Sequence, residues 1–131
     1  MKRRGVTLLE LLVVLSIIGI ATFFSYFSFS GYLDKVKLNA AAKETASQLH
    51  LAKEMARSSQ KETEVKCQGN TLFLNTSQVK LPQGIVFEPS KTFQFSSTGN
   101  PLPGFNGSVV VKGRKSSKKI IVTSLGRIRI E

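Results

Sequence analysis

Three hydrophobic rhythms follow one another along the chain. From Val6 to Phe29 the sequence is apolar almost without a break, and Glu10 is its one charged residue. As a helix this stretch would be about 36 Å long, enough to cross a bilayer. Farther on, Leu38, Ala42, Ala46, Leu49, Ala52 and Ala56 recur every third or fourth residue, with Lys43, Ser47, His50 and Glu54 on the other side. That spacing predicts that the helix continues as an amphipathic one and ends near Ser58–Ser59. From Thr63 the period drops to two. Segments 63–67, 71–74, 84–88, 92–95, 108–112, 119–123 and 127–131 read as short strands, and their short connections make them antiparallel. Gln68-Gly69-Asn70 suits a hairpin turn, while 96–107, with Gly99, Pro101, Pro103, Gly104 and Gly107, reads as a surface loop without regular structure. The expected fold class is α+β, with a long N-terminal α-helix packed through its second half on an antiparallel β-sheet head.

Composition narrows the chemistry. The 131 residues are 41% hydrophobic, which excludes disorder, and they include one Cys and one His. An intramolecular disulfide, a Cys-rich zinc site and any mechanism using two histidines are thereby excluded. Only Glu88 and Glu131 are acidic beyond residue 65, and no phosphate-binding glycine loop or metal-ligand spacing occurs. The chain is therefore read as no enzyme, with no cofactor and no metal site. His50 reads as a solvated surface residue and Cys67 as a small buried one.

Charge divides the chain as well. The formal net charge is +11, from 19 Lys or Arg against 8 Asp or Glu, and residues 66–131 carry ten of those basic residues. A field of that sign attracts polyanions or acidic partners, although it also serves solubility.

The basic head Met1-Lys2-Arg3-Arg4-Gly5 should stay in the cytoplasm and send the remainder across the membrane. A secretory signal peptide would also begin this way, but no A-x-A-type cleavage site follows the apolar run. Glu10 is the anomaly, because a carboxylate inside the apolar layer costs a few kcal/mol unless it is paired or reaches the interface. Two readings stay open: the side chain snorkels toward the headgroups near Arg3 and Arg4, or it meets a cation within the apolar layer. Cleavage after Gly5 would supply such a cation, the α-amine of Val6.

The string Arg4-Gly5-Val6-Thr7-Leu8-Leu9-Glu10-Leu11-Leu12-Val13-Val14 resembles the prepilin signature of type IV pilins and type II secretion pseudopilins. The resemblance implies cleavage between Gly5 and Val6 by a membrane prepilin peptidase, N-methylation of Val6, and a subunit-registering role for Glu10 in assembly. It also implies a pilin-like fold, with 1–5 as leader, 6–29 as the transmembrane and assembly half of the helix, 30–60 as its amphipathic half, and 61–131 as a β-rich head. The chain departs from the family in having Val6 where Phe is usual. No Pro interrupts the helix, and within its apolar run Gly19 is the weak point.

The head is similar to the pseudopilin H and FimT group of minor pilins. Leu81-Pro-Gln-Gly-Ile-Val-Phe87, Phe93-Gln-Phe-Ser-Ser-Thr-Gly99 and a last strand opening Gly126-Arg127 carry that likeness. Arg127 and Arg129 share one face of that strand, with stems about 6.6 Å apart, a spacing that reaches neighbouring phosphates. Lys112, Arg114, Lys115, Lys118 and Lys119 gather at the preceding hairpin tip and would join them in one basic surface if that tip folds near the last strand. The segment resembles the Gly-Arg-x-Arg tail with which FimT-type pilins grip DNA. The other reading makes Arg127 and Arg129 the charged face of an edge strand, kept polar against aggregation. The expected function is a minor pilin or pseudopilin anchored in the bacterial inner membrane and assembled for protein export. The alternative is a DNA-binding minor pilin of natural transformation. Expected partners are prepilin peptidase, other subunits and the inner membrane, with DNA as a further one.

Overall fold

The computed structural model describes residues 6–131. The leader 1–5, with Gly5 of the expected cleavage site, lies outside the described residues. The chain divides into two compact units, Met1–Leu33 and Asp34–Glu131.

One helix, α1 (Leu8–Ser59), runs through both. Among the described side chains of its apolar first half none is buried: the large ones stand between 47% (Val13) and 81% (Leu8) exposed. The polar residues in this stretch do not oppose a lipid environment. Ser16, Thr22 and Ser25 each donate their hydroxyl to the carbonyl four residues back, at 2.8, 2.7 and 2.9 Å, so these three donors are satisfied within the helix.

The second unit packs the remainder of α1 on a seven-stranded sheet. Its strands are β1 (Thr63–Gly69), β2 (Thr71–Leu74), β3 (Ser77–Lys80), β4 (Val86–Phe95), β5 (Gly107–Lys112), β6 (Ser117–Val122) and β7 (Ile128–Ile130). The order across the sheet is β3-β2-β1-β4-β5-β6-β7, antiparallel throughout. Alternation does the sorting, since Val65, Cys67, Leu72, Leu74, Phe87, Phe93, Phe95, Val109, Val111, Ile120 and Val122 all point to one face. Leu38, Ala41, Leu49, Ala52 and Ala56 of α1 fill that face, alanines letting the helix approach closely.

Several expectations change in detail. The buried helix stripe includes Ala41 and Thr45, while Ala46 is only half-buried. Thr45 can enter the core because its hydroxyl bonds the Ala41 carbonyl at 2.8 Å. Segments 84–88 and 92–95 are not two strands but parts of β4. Pro89 is accommodated where the register against β1 jumps from Cys67↔Lys91 to Gly69↔Phe87, so no ladder donor is needed from it. The seventh strand is instead β3, reached through a two-residue turn at Asn75-Thr76 with Asn75 at φ 49°. Finally, 96–107 is not free loop throughout. Ser96 and Asn100 close a tight turn (Ser96 N to Asn100 O, 2.9 Å), and Leu102 N returns to Gln94 O at 2.9 Å beside the Phe95↔Pro101 bridge.

Candidate functional site

The first candidate site is the start of α1. Thr7 precedes the helix, and its Oγ1 accepts the backbone N–H of Glu10 at 3.2 Å. Thr7 is therefore the N-cap, and Glu10 occupies the first turn, where the helix dipole favours an acid. The Thr-x-x-Glu spacing of a capping box announces this in the sequence, a signal the reading of Glu10 as an anomaly passed over. Glu10 is exposed and forms no ion pair among the described residues. Val6, next to the expected cut, is 70% exposed.

The second candidate site is the sheet face turned away from the helix. Because β6 and β7 are antiparallel, the last residues of one oppose the first of the other. Arg129 lies opposite Ile121, Arg127 opposite Thr123, and Lys119 opposite Glu131. Arg127, Arg129 and Lys119 thus share the outer face and are exposed. Lys112 is on this face too, with its ammonium 2.7 Å from Glu88. That pair is exposed on both sides and adds little to stability.

The hairpin tip does not join this row. Lys118 opposes Val111, which puts it on the helix-facing side of the sheet. Arg114 and Lys115 sit in the turn closed by Gly113 N to Ser116 O at 2.8 Å. From that tip to Thr123, opposite Arg127, is about 20 Å of strand. The seven basic candidates therefore form two groups: Lys112, Lys119, Arg127 and Arg129 on the outer face, and Arg114, Lys115 and Lys118 at the tip.

The turn that presents Arg127 is tightly built. Gly126 N bonds Thr123 O at 2.9 Å, Arg127 N bonds Thr123 Oγ1 at 3.2 Å, and Lys53 of α1 donates to Gly126 O at 3.0 Å. Gly126 has φ 71°, and a Cβ there would meet Gly99 O at 2.8 Å. The glycine of the Gly-Arg-x-Arg segment is thus required by packing, whatever the arginines contact. Gly99 lies in turn under Arg57, which ties the 96–100 turn to the end of α1.

Elsewhere the site chemistry is spare. Burial pushes the Cys67 thiol up to about 12, so it is no nucleophile at neutral pH. His50 is exposed, and among the described residues no group of acids, histidines and cysteines could hold a metal ion.

Residues 1–26 match the family described as the prokaryotic N-terminal methylation motif. The fold is similar to crystal structures of the type IV minor pilin FimU of Pseudomonas aeruginosa. One crystal form gives TM-score 0.63 at 14% identity over 76% of this chain and 92% of that one. The other gives TM-score 0.61 at 15% identity over 72% and 92%. Among curated protein sequences none matches significantly. The chain thus carries a prepilin N-methylation motif on the fold of a minor pilin, as its resemblance to pilins and pseudopilins implied.

Proposed function

We propose that the protein is a minor pilin or pseudopilin subunit, held in the inner membrane as a precursor with its head outside the cytoplasm. Cleavage after Gly5 by prepilin peptidase and methylation of Val6 precede its assembly through the N-terminal helix. The observation that carries this reading is the first half of α1: an apolar helix buried nowhere within its own chain, with a capped start and a single acid in its first turn. Such a surface needs lipid before assembly and neighbouring helices after it. Gly5→Leu tests the processing step, since a bulky side chain ahead of the scissile bond blocks entry to a site fitted to glycine. The variant is expected to accumulate at precursor mass in membranes of cells carrying the peptidase. A mature-length product on intact-mass analysis would place the cut elsewhere.

For cargo, the leading reading is protein export through a secretion pseudopilus. DNA handling is the second reading, and it is favoured by one feature, the exposed Arg127 and Arg129 on a face with no acid directly opposite either. Two guanidiniums at this spacing suit adjacent phosphates of one strand, giving contact that depends strongly on salt and weakly on sequence. The full chain in detergent, titrated with short duplex DNA, is expected to lose affinity on Arg127→Ala/Arg129→Ala. The slope of log affinity against log salt should fall by about 1.8 for two lost phosphate contacts. An unchanged slope would return the two arginines to the ordinary role of a charged edge strand.

A further inference from the structure

The tip group of basic residues calls for a different partner from Arg127 and Arg129, because of where the chain brings it. Two shallow clefts join the β5–β6 turn to the first residues of α1 in the second unit. Arg114 and Gly113 line one with Asp34 and Lys37; Lys118 and Ser116 line the other with Lys35 and Leu38. Lys35, Lys37, Arg114 and Lys118 therefore gather in one neighbourhood with Asp34 as the acid among them; Lys115 sits in the turn between Gly113 and Ser116, and none of the five cations forms an ion pair among the described residues. Lys35 follows the end of the apolar run at Phe29 by six residues, about 9 Å of helix rise. Tyr26 and Tyr32, both strongly exposed, bracket that end, as aromatic residues do at a membrane–water interface. The group thus stands where the chain emerges from the bilayer, within reach of the headgroup layer.

We propose that the Arg114-Lys115-Lys118 turn, with Lys35 and Lys37, is a docking surface for anionic phospholipid headgroups, holding the head down on the membrane before the subunit joins a filament. This goes beyond the subunit assignment but rests on its premise that residues 6–29 span a membrane. Phosphodiester groups at a surface are met by mobile point charges, and four lysines and one arginine provide them without bidentate geometry. Each basic side chain near such a surface shifts the docking equilibrium about fivefold, so removing three should weaken it on the order of a hundredfold. Extraction into a filament would have to break these contacts, so membrane lipid charge would tune how readily the subunit leaves.

The test uses the full chain in nanodiscs, with a donor dye on Ser116→Cys and an acceptor on the lipid headgroups. Cys67 is buried and does not compete for the dye. Energy transfer is expected to be higher in phosphatidylglycerol-containing discs than in pure phosphatidylcholine discs. It should collapse in about 1 M NaCl, where the Debye length shrinks to about 3 Å. Arg114→Gln/Lys115→Gln/Lys118→Gln should abolish the difference. Lys61→Gln/Lys66→Gln/Lys91→Gln, equal in lost charge, should preserve it. A donor on Ser124→Cys, at the other end of β6, should show no lipid dependence. Equal transfer in both lipids, or loss with both triple variants alike, overturns the proposal. So does a position-116 signal that responds to added duplex DNA and not to lipid charge. Retention in the disc through gel filtration reads the membrane anchor separately, so failure of the span and failure of the headgroup contact are told apart.

Discussion

Gly126→Ala is expected to destabilise the head by about 2–4 kcal/mol and to lower its thermal midpoint on the order of 10–20 °C. Two costs add. The first is conformational, since φ 71° is a left-handed backbone that an alanine enters at a cost of about 1–2 kcal/mol. The second is steric and falls on backbone: the new Cβ would stand 2.8 Å from Gly99 O. Gly99 cannot easily withdraw, because Arg57 lies against it from α1 and Gly99 N bonds Ser96 O at 2.8 Å. Moving Gly126 instead would loosen the Lys53 bond to its carbonyl and the pairing that starts β7. Gly104→Ala separates the two costs. Gly104 has φ 88° with nothing within 4 Å of a Cβ, so it should lose only the conformational part. Circular-dichroism melts of both variants decide the matter, and a Gly126→Ala no less stable than Gly104→Ala would refute the close packing of the two turns. The result bears on function too, because a loss of DNA binding in Gly126→Ala would report a displaced Arg127 and not a lost contact.

Much of this arrangement was legible in the residues. The change to a period of two after Thr63 marked β1, β2, β5 and β6 as strands, because one face of each is buried and the other more solvated. The switch from an unbroken apolar run to a three-four stripe likewise gave α1 and its end near Ser59. What stayed hidden was decided by conformation with little compositional trace. β3 (Ser77–Lys80) is mostly polar and exposed, and its turn places Asn75, not glycine, at positive φ, so neither strand nor turn stands out. Pro89 suggested a break that the register shift in β1 removes. The glycine- and proline-rich 96–107 stretch suggested loop, yet Gly99 and Pro101 are buried because the turn is clamped between α1 and the Gly126 turn. For the candidate basic site, alternation put Arg127 and Arg129 on one face, while a single surface with the tip depended on where the tip folds. Antiparallel pairing sends Arg127 to the far end of β6, and the parity of Val111↔Lys118 sends Lys118 to the opposite face.

Glu10→Ala is expected to leave the protein inserted in the membrane and processed at Gly5, yet to reduce its presence in sheared filaments at least tenfold. Insertion should be unharmed, since replacing a carboxylate by a methyl group in an apolar helix removes a cost of a few kcal/mol. The helix start should also survive: the Thr7 cap is made to the backbone N–H of residue 10, which alanine keeps, so only the modest attraction of an acid for the helix dipole is lost. What disappears is the anion that would meet the new Val6 amine of a neighbouring subunit. Between packed apolar helices that amine would be left as an unpaired charge, and removing one partner of a buried pair costs about 3–5 kcal/mol. An energy of that size corresponds to more than a hundredfold in an assembly equilibrium, which covers a loss of at least tenfold. Glu10→Gln refines the result, because it keeps shape and hydrogen bonding while deleting charge. If glutamine assembles as the wild type does, the side chain acts through polarity and not through an ion pair. Normal incorporation of the alanine variant would leave Glu10 as an acid favoured by the helix dipole in the first turn.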